Sequence, residues 1–145
     1  MQTLVVQTPE DLLTCLDIRR EVFIEEQGVP EELEIDEQDV IGVGTHVLVK
    51  DQTGHAVATA RFQKYNDTTA KIQRVAVRKQ GRGKGYGNAV MVAIESAARN
   101  QGFEKAILDA QCSAEGFYRR LGYTLVSEER FLDAGIEHVR MEKRL

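Results

Sequence analysis

With 145 residues, 42% hydrophobic and 29% charged, the chain has the size and composition of one globular domain, spanning 1–145, and is too short for a second core. A net charge of −4 argues against a general nucleic-acid-binding role, and no apolar run of about 18 residues or charged-then-apolar leader is present. The expectation is a cytoplasmic protein without a membrane or nucleic-acid partner; Cys15 and Cys112 lie far apart without metal-ligand spacing, so reduced thiols are expected, with no disulfide framework and no metal.

Thr3 to Val6 is a short apolar strand candidate. Thr8-Pro9-Glu10-Asp11 supplies a cap, a proline at the first helical position and early carboxylates, and Leu12, Leu13, Leu16, Phe23 and Ile24 then recur at helical spacing. This predicts a helix ending near Gln27-Gly28. Pro30 to Asp39 is acidic and reads as a short second helix or an ordered loop. Its run Glu31-Glu32-Leu33-Glu34-Ile35-Asp36-Glu37 reads as a solvated face, the alternative being carboxylates that favour a cationic acceptor. His46 to Lys50, Ala56 to Gln63 and Ala70 to Val77 are successive strands with short connections, an antiparallel meander.

Tyr86, Val90, Ile94 and Ala97 form one face of a helix that stops near Asn100-Gln101-Gly102. Lys105 to Ala110 is a buried strand, and the intervening helix makes it parallel to the strand ending at Val77. Ser113 opens a short helix through Leu121-Gly122. The segments Tyr123 to Leu132 and Ile136 to Glu142 form a hairpin around Asp133-Ala134-Gly135. The fold class is α+β: a mixed, mostly antiparallel central sheet flanked by helices, in the order β-α-α-β-β-β-α-β-α-β-β.

Between strand and helix, at Gln80-Gly81-Arg82-Gly83-Lys84-Gly85-Tyr86-Gly87-Asn88, glycines let backbone N–H groups converge at a helix N-terminus, a cradle for phosphate. Arg78, Lys79, Arg82 and Lys84 add positive charge. A P-loop is excluded because Lys84 is followed by Gly85, with no hydroxyl residue to hold magnesium. A dinucleotide fingerprint also fails: Gly81-x-Gly83 meets Tyr86, and Gly83-x-Gly85 meets Asn88.

Gln80-x-x-Gly83-x-Gly85, preceded by Val75-Ala76-Val77, resembles the acetyl-CoA-binding motif of the GNAT superfamily of N-acetyltransferases. Phe117-Tyr118-Arg119-Arg120-Leu121-Gly122-Tyr123 is similar to a second family segment, and the element order agrees along the whole chain. The N-terminal stretch Arg19 to Pro30, with Glu34, Asp36, Asp39 and His46 beyond it, resembles the ElaA/YjcF-like bacterial branch.

The resemblance implies a single-domain GNAT fold and an acyltransferase that uses acetyl-CoA as donor substrate and a small-molecule or peptide amine as acceptor, by direct attack in a ternary complex. It places the pantothenate arm against the backbone of Val75, Ala76 and Val77. Pyrophosphate falls on the amides of Arg82, Gly83, Lys84, Gly85, Tyr86 and Gly87, with Asn88 at the edge. Gln111 is placed near a pantetheine amide and Arg120 near the ribose phosphate, a solvated arginine being the alternative. Tyr118 matches the tyrosine that protonates the departing thiolate; a phenol with a pKa of about 10 is protonated at neutral pH. An aromatic packing residue is the alternative there. Dimers are common in the superfamily, which makes a homodimer an option.

The family's usual glutamate before the loop is missing, since that strand reads Lys71-Ile72-Gln73-Arg74. Glu26, Asp36 and His46 are the base candidates, each with a plain reading as surface charge or local hydrogen-bond partner. Cys112 follows the cofactor strand, but without an adjacent histidine it reads as packing. A second class stays open, a non-catalytic acyl-CoA-binding or regulatory domain.

Overall fold

The computed structural model describes residues 1–145. After β1 (Gln2–Val5), helix α1 (Pro9–Arg19) starts as its sequence dictates: the Thr8 hydroxyl accepts from the Asp11 N–H at 3.2 Å and Pro9 occupies the first turn. From Arg20 to Glu26 the helix is π-helical, a form the apolar spacing does not reveal. This wider segment places Val22, Phe23, Glu26 and Gln27 along a cleft and ends at Gly28, whose φ of 73° reverses the chain.

The remaining elements are α2 (Glu31–Glu34), β2 (Thr45–Lys50), β3 (Ala56–Lys64), β4 (Thr69–Val77), α3 (Tyr86–Asn100), β5 (Lys105–Gln111), α4 (Glu115–Arg120), β6 (Thr124–Leu125), β7 (Phe131–Asp133) and β8 (Ile136–Arg144). They build an eight-stranded sheet in the order β1-β2-β3-β4-β5-β8-β6, with β7 also on β8. The β4–β5 pair is parallel and the others antiparallel, as expected from the α3 crossover. One correction concerns the C-terminal hairpin, whose first arm is broken. Ser127 to Arg130 are exposed and leave the ladder, so β6 and β7 divide the outer edge of β8 between them. A polar run with no apolar alternation gains nothing by joining a half-buried sheet.

Two irregularities in β4 shape the molecule. The register against β3 shifts between Thr59–Ala76 and Arg61–Gln73, an extra residue in β4. Arg74 sits in that bulge with φ 56°, a left-handed conformation costing a non-glycine residue about 1–2 kcal/mol. On its other edge, β4 stays with β5 only from Thr69–Lys105 to Ile72–Leu108. Beyond that point the strands part.

The sheet separates two cores. Val47, Ala58, Phe62, Ile72, Leu108 and Met141 pack with Val90, Met91 and Ile94 of α3 on one face. On the other, Leu48 and Ala76 pack with Leu12, Cys15, Ile18 and Val22 of α1. Burial pushes the Cys15 thiol up to about 11, which makes it an inert packing residue.

The acidic segment is not the solvated face expected of it. Glu34 and Asp39 have side chains only 3% and 1% exposed. Arg19 binds Glu34 at 2.6 Å and forks onto Asp39; Arg61 reaches Asp36 at 2.7 Å and Asp39 at 2.9 Å; Arg74 reaches Glu34 at 2.7 Å. Guanidinium groups from α1, β3 and β4, distant in sequence, converge on these carboxylates and offset their desolvation. No helix is long and apolar enough to cross a membrane.

Candidate active site

The parting of β4 and β5 opens a cleft of about 760 Å³, closed at one end by the glycine loop and α3, and walled by the π-helical segment and α4. Val75, Ala76, Val77, Arg82, Gly83, Gly85, Tyr86, Gly87, Asn88, Gln111, Tyr118 and Arg120 all line it. Lys84 lines a separate depression with Asp51, Gln52 and Thr53.

Backbone direction follows from register. Arg78 N–H donates to Val57 O at 2.8 Å, so along this antiparallel pair Ala76 turns its N–H and C=O to β3 while Val77 turns them away, toward the opening. The same alternation carries Val75 to the opening. Ala76 is therefore corrected as a main-chain contributor: its polar groups belong to the sheet and its side chain to the α1 core.

Gly83 and Gly85 have φ of 77° and 85°, and Gly85 caps α3 without a side-chain acceptor. The first helical bond of this turn is Ala89 N–H to Gly85 O. None of the N–H groups from Gly83 through Asn88 donates within the protein, leaving an array of donors at a helix N-terminus. Arg82 is different, because its N–H bonds Lys79 O at 3.3 Å; its guanidinium instead spans the cleft, from Val77 O at 3.1 Å to Glu26 at 2.9 Å. Arg78 adds no charge to the loop, since it is held by Ala56 O at 2.9 Å and Glu21 at 3.2 Å. Gly87 is required by closeness: a Cβ there would meet the Phe117 ring at 3.2 Å. Gly87→Ala is expected to destabilise the fold by about 1–3 kcal/mol by displacing the start of α3 against Phe117, measured by thermal melting.

Tyr118 is 8% exposed, set edge-on between Phe117 (centroids 5.0 Å apart) and Tyr123 (5.9 Å). Tyr123 is anchored by a 2.8 Å bond to Glu95, whereas the Tyr118 hydroxyl has no partner in the protein and is not among the sealed, unpartnered polar atoms. It therefore opens on the cleft. Burial pushes its pKa above that of an ordinary phenol.

Comparison with known proteins agrees with this architecture. Residues 7–145 match the model of the acetyltransferase (GNAT) domain. The chain is 38% identical over 143 residues to the uncharacterized N-acetyltransferase YjcF of Bacillus subtilis, covering 99% of each. The chain belongs to the GNAT acetyltransferase family. Among solved structures, a candidate N-acetyltransferase from Lactobacillus plantarum superposes with a TM-score of 0.90 at 26% identity, covering 99% of this chain and 97% of that one. Escherichia coli ElaA superposes at 0.83 with 27% identity, covering 98% of each. This GNAT protein is accordingly an acyltransferase.

The base candidates fare unequally in this GNAT fold. Glu26 lines the cleft but is paired with Arg82. Asp36 is bound by both terminal nitrogens of Arg61; burial pushes its carboxyl up, and the Arg61 hydrogen bond and the Gln38 N–H more than reverse this. His46 does not line the cleft: it sits beside Asp39 with Nε2 3.0 Å from Gln38 O, and burial lowers its pKa. Cys112 packs against the α3 core, on the face opposite Gln111. Glu34, expected on a solvated acidic face, lines the cleft. His138 carries no motif and lines the cleft only because β8 pairs with β5, opposite Gln111.

Proposed function

We propose that this protein is an acetyl-CoA-dependent N-acetyltransferase that acylates a primary amine of a small molecule or peptide by direct attack in a ternary complex. The observation that carries this reading is the junction of three features in one cleft: strands parted after Ile72 and Leu108, unpartnered amides from Gly83 to Asn88, and the Tyr118 hydroxyl. The donor fits because its pyrophosphate requires N–H donors and its pantetheine arm requires strand backbone turned to the cleft; of that backbone, Val77 O is held by Arg82, whose side chain must move aside for the arm to bond there.

When bound, acetyl-CoA supplies an activated thioester carbonyl. The amides from Gly83 to Asn88 hold phosphate, with the Arg82 guanidinium and Arg120 at the cleft wall. Val75 and Val77, whose N–H and C=O groups face the opening, secure the amide-bearing arm and supply an N–H where negative charge develops on the carbonyl oxygen. Gln111 reaches from the end of β5, where it contacts Gln27 at 2.9 Å across the cleft. Tyr118 protonates the leaving sulfur. Its raised pKa keeps the proton in place beforehand, and the burial responsible also raises a thiolate's own proton affinity.

The first test is thermal. CoA at about 100 times its Kd stabilises a one-site binder by about 2.7 kcal/mol, expected here as a rise in Tm of roughly 5–10 °C. The second is thiol release from acetyl-CoA with spermidine, kanamycin and a lysine-containing peptide. Stabilisation by CoA with no turnover on any amine would replace this reading by the non-catalytic binding domain. No stabilisation would overturn both.

A further inference from the structure

We infer that His138 is the base that takes the acceptor amine's proton, acting from the face of the sheet opposite α4. This rests on the acyl-transfer reading above. Ala110 and Val139 pack in the core beneath α3, so their neighbours Gln111 and His138, paired across β5 and β8, turn to the other face. Tyr118 belongs to the α3-side core. Both residues nevertheless line the one cleft between the parted strands, which gives it an acid on one side and a base on the other.

The ring is prepared for this task. Its Nδ1 lies 2.7 Å from Ile136 O, and because a carbonyl only accepts, the proton resides on Nδ1 and the lone pair on Nε2. Nε2 has no protein partner, yet it is absent from the sealed unpartnered atoms, His46 Nδ1 and Arg61 Nε. It opens on the cleft. Phe131 stacks on the ring with centroids 5.9 Å apart and planes at 24°. The tight turn at Ala134 (φ 51°) and Gly135 (φ 78°) fixes the Phe131–His138 register.

Of the four carboxylates lining the cleft, three are engaged. Glu34 is bound by Arg19 and Arg74, Glu26 by Arg82, and Asp109 by Arg140 at 2.8 Å and Lys71 at 3.6 Å. The fourth, Asp133, is an unpaired, exposed carboxylate at the hairpin tip, on the rim of the cleft. On β5, β7 and β8 around His138 the charged groups are Lys105, Asp109, Asp133, Glu137, Arg140, Glu142, Lys143 and Arg144, with Lys71 of β4 paired to Asp109 and Cys112 in the turn after β5.

The step balances. The amine nitrogen bonds to the carbonyl carbon as its proton passes to His138 Nε2; the carbon–sulfur bond then breaks and sulfur takes the Tyr118 proton. His138 returns its proton to water, and Tyr118 regains one. The products are amide and free thiol.

The test uses His138→Asn, whose amide nitrogen replaces Nδ1 toward Ile136 O but offers no base. With acetyl-CoA and whichever of spermidine, kanamycin or the lysine peptide the wild type acylates, kcat/KM for the amine is expected to fall about 100-fold. KM for acetyl-CoA and the CoA-induced thermal shift stay unchanged. The logarithm of kcat/KM for the wild type should rise with a slope of two at acid pH, for histidine and ammonium, and the variant's with a slope of one. Independently, ¹⁵N spectra of the ligand-free protein should show neutral His138 as the Nδ1–H tautomer. An Nε2–H tautomer, or a variant with wild-type rate and slope, overturns the proposal while leaving acyl transfer standing. A wild type without turnover on any of these amines overturns both. If the asparagine variant does not fold, His138→Gln carries the same measurements.

Discussion

Tyr118→Phe is expected to lower kcat for acyl transfer by roughly 10²–10⁴-fold, the usual weight of a positioned acid, with KM for acetyl-CoA nearly unchanged. The substitution removes one oxygen from a ring held by Phe117 and Tyr123, and that oxygen makes no bond within the protein. No stabilising interaction is lost, so folding and CoA binding should survive. Because burial raises the phenol's pKa, no descending limb from Tyr118 should appear in the pH–rate profile below about pH 10. Steady-state thiol release at saturating donor and acceptor measures the effect. A variant with the wild-type kcat would make Tyr118 a packing aromatic.

Asp39→Asn should strongly destabilise the fold, costing about 3–5 kcal/mol and lowering Tm by roughly 10–15 °C in calorimetry. Asp39 is the shared counter-charge of Arg19 and Arg61, each 1% exposed, and its loss leaves two buried guanidinium groups short of a partner. Burial alone would raise the Asp39 carboxyl, but the Arg19 hydrogen bond, the Asp36 N–H and the charges of Arg19 and Arg61 outweigh it and hold the pKa far below the usual range. A depressed folded-state pKa stabilises the protein above the unfolded value of about 3.9, and that contribution is lost as pH falls below it. Asp36, also depressed, adds in the same direction. Wild-type stability should therefore drop steeply below about pH 4, and the variant's less so. The loss should also loosen one cleft wall, because Glu34 and Arg74 belong to the same cluster.

Elements set by local rules were readable from the chain. The capped start of α1, the meander β2 to β4, the α3 crossover and the glycine loop all depend on residues close in sequence: a threonine cap, apolar alternation, glycines preceding a helix. The loop and the Phe117-Tyr118 segment also carried the family resemblance that the match over residues 7–145 bears out. The π-helical stretch was not readable, since its apolar spacing also suits an α-helix. Nor was the break between β6 and β7, a balance of polar residues against a weak edge. Ala76 was misjudged because main-chain direction depends on register with β3, which side-chain alternation alone does not give.

The sequence by itself determined the fold class, the family and a glycine-rich loop ahead of α3. These follow from periodicity and backbone stereochemistry acting over a few residues. Tertiary structure alone decided that Glu34 and Asp39 are buried, and Asp36 half-buried, ion-pair partners rather than a solvated face, and that His138 shares a cleft with Tyr118. Charge burial and cleft membership depend on which distant strands meet, and that is settled when β3, β4, β5 and β8 find their registers.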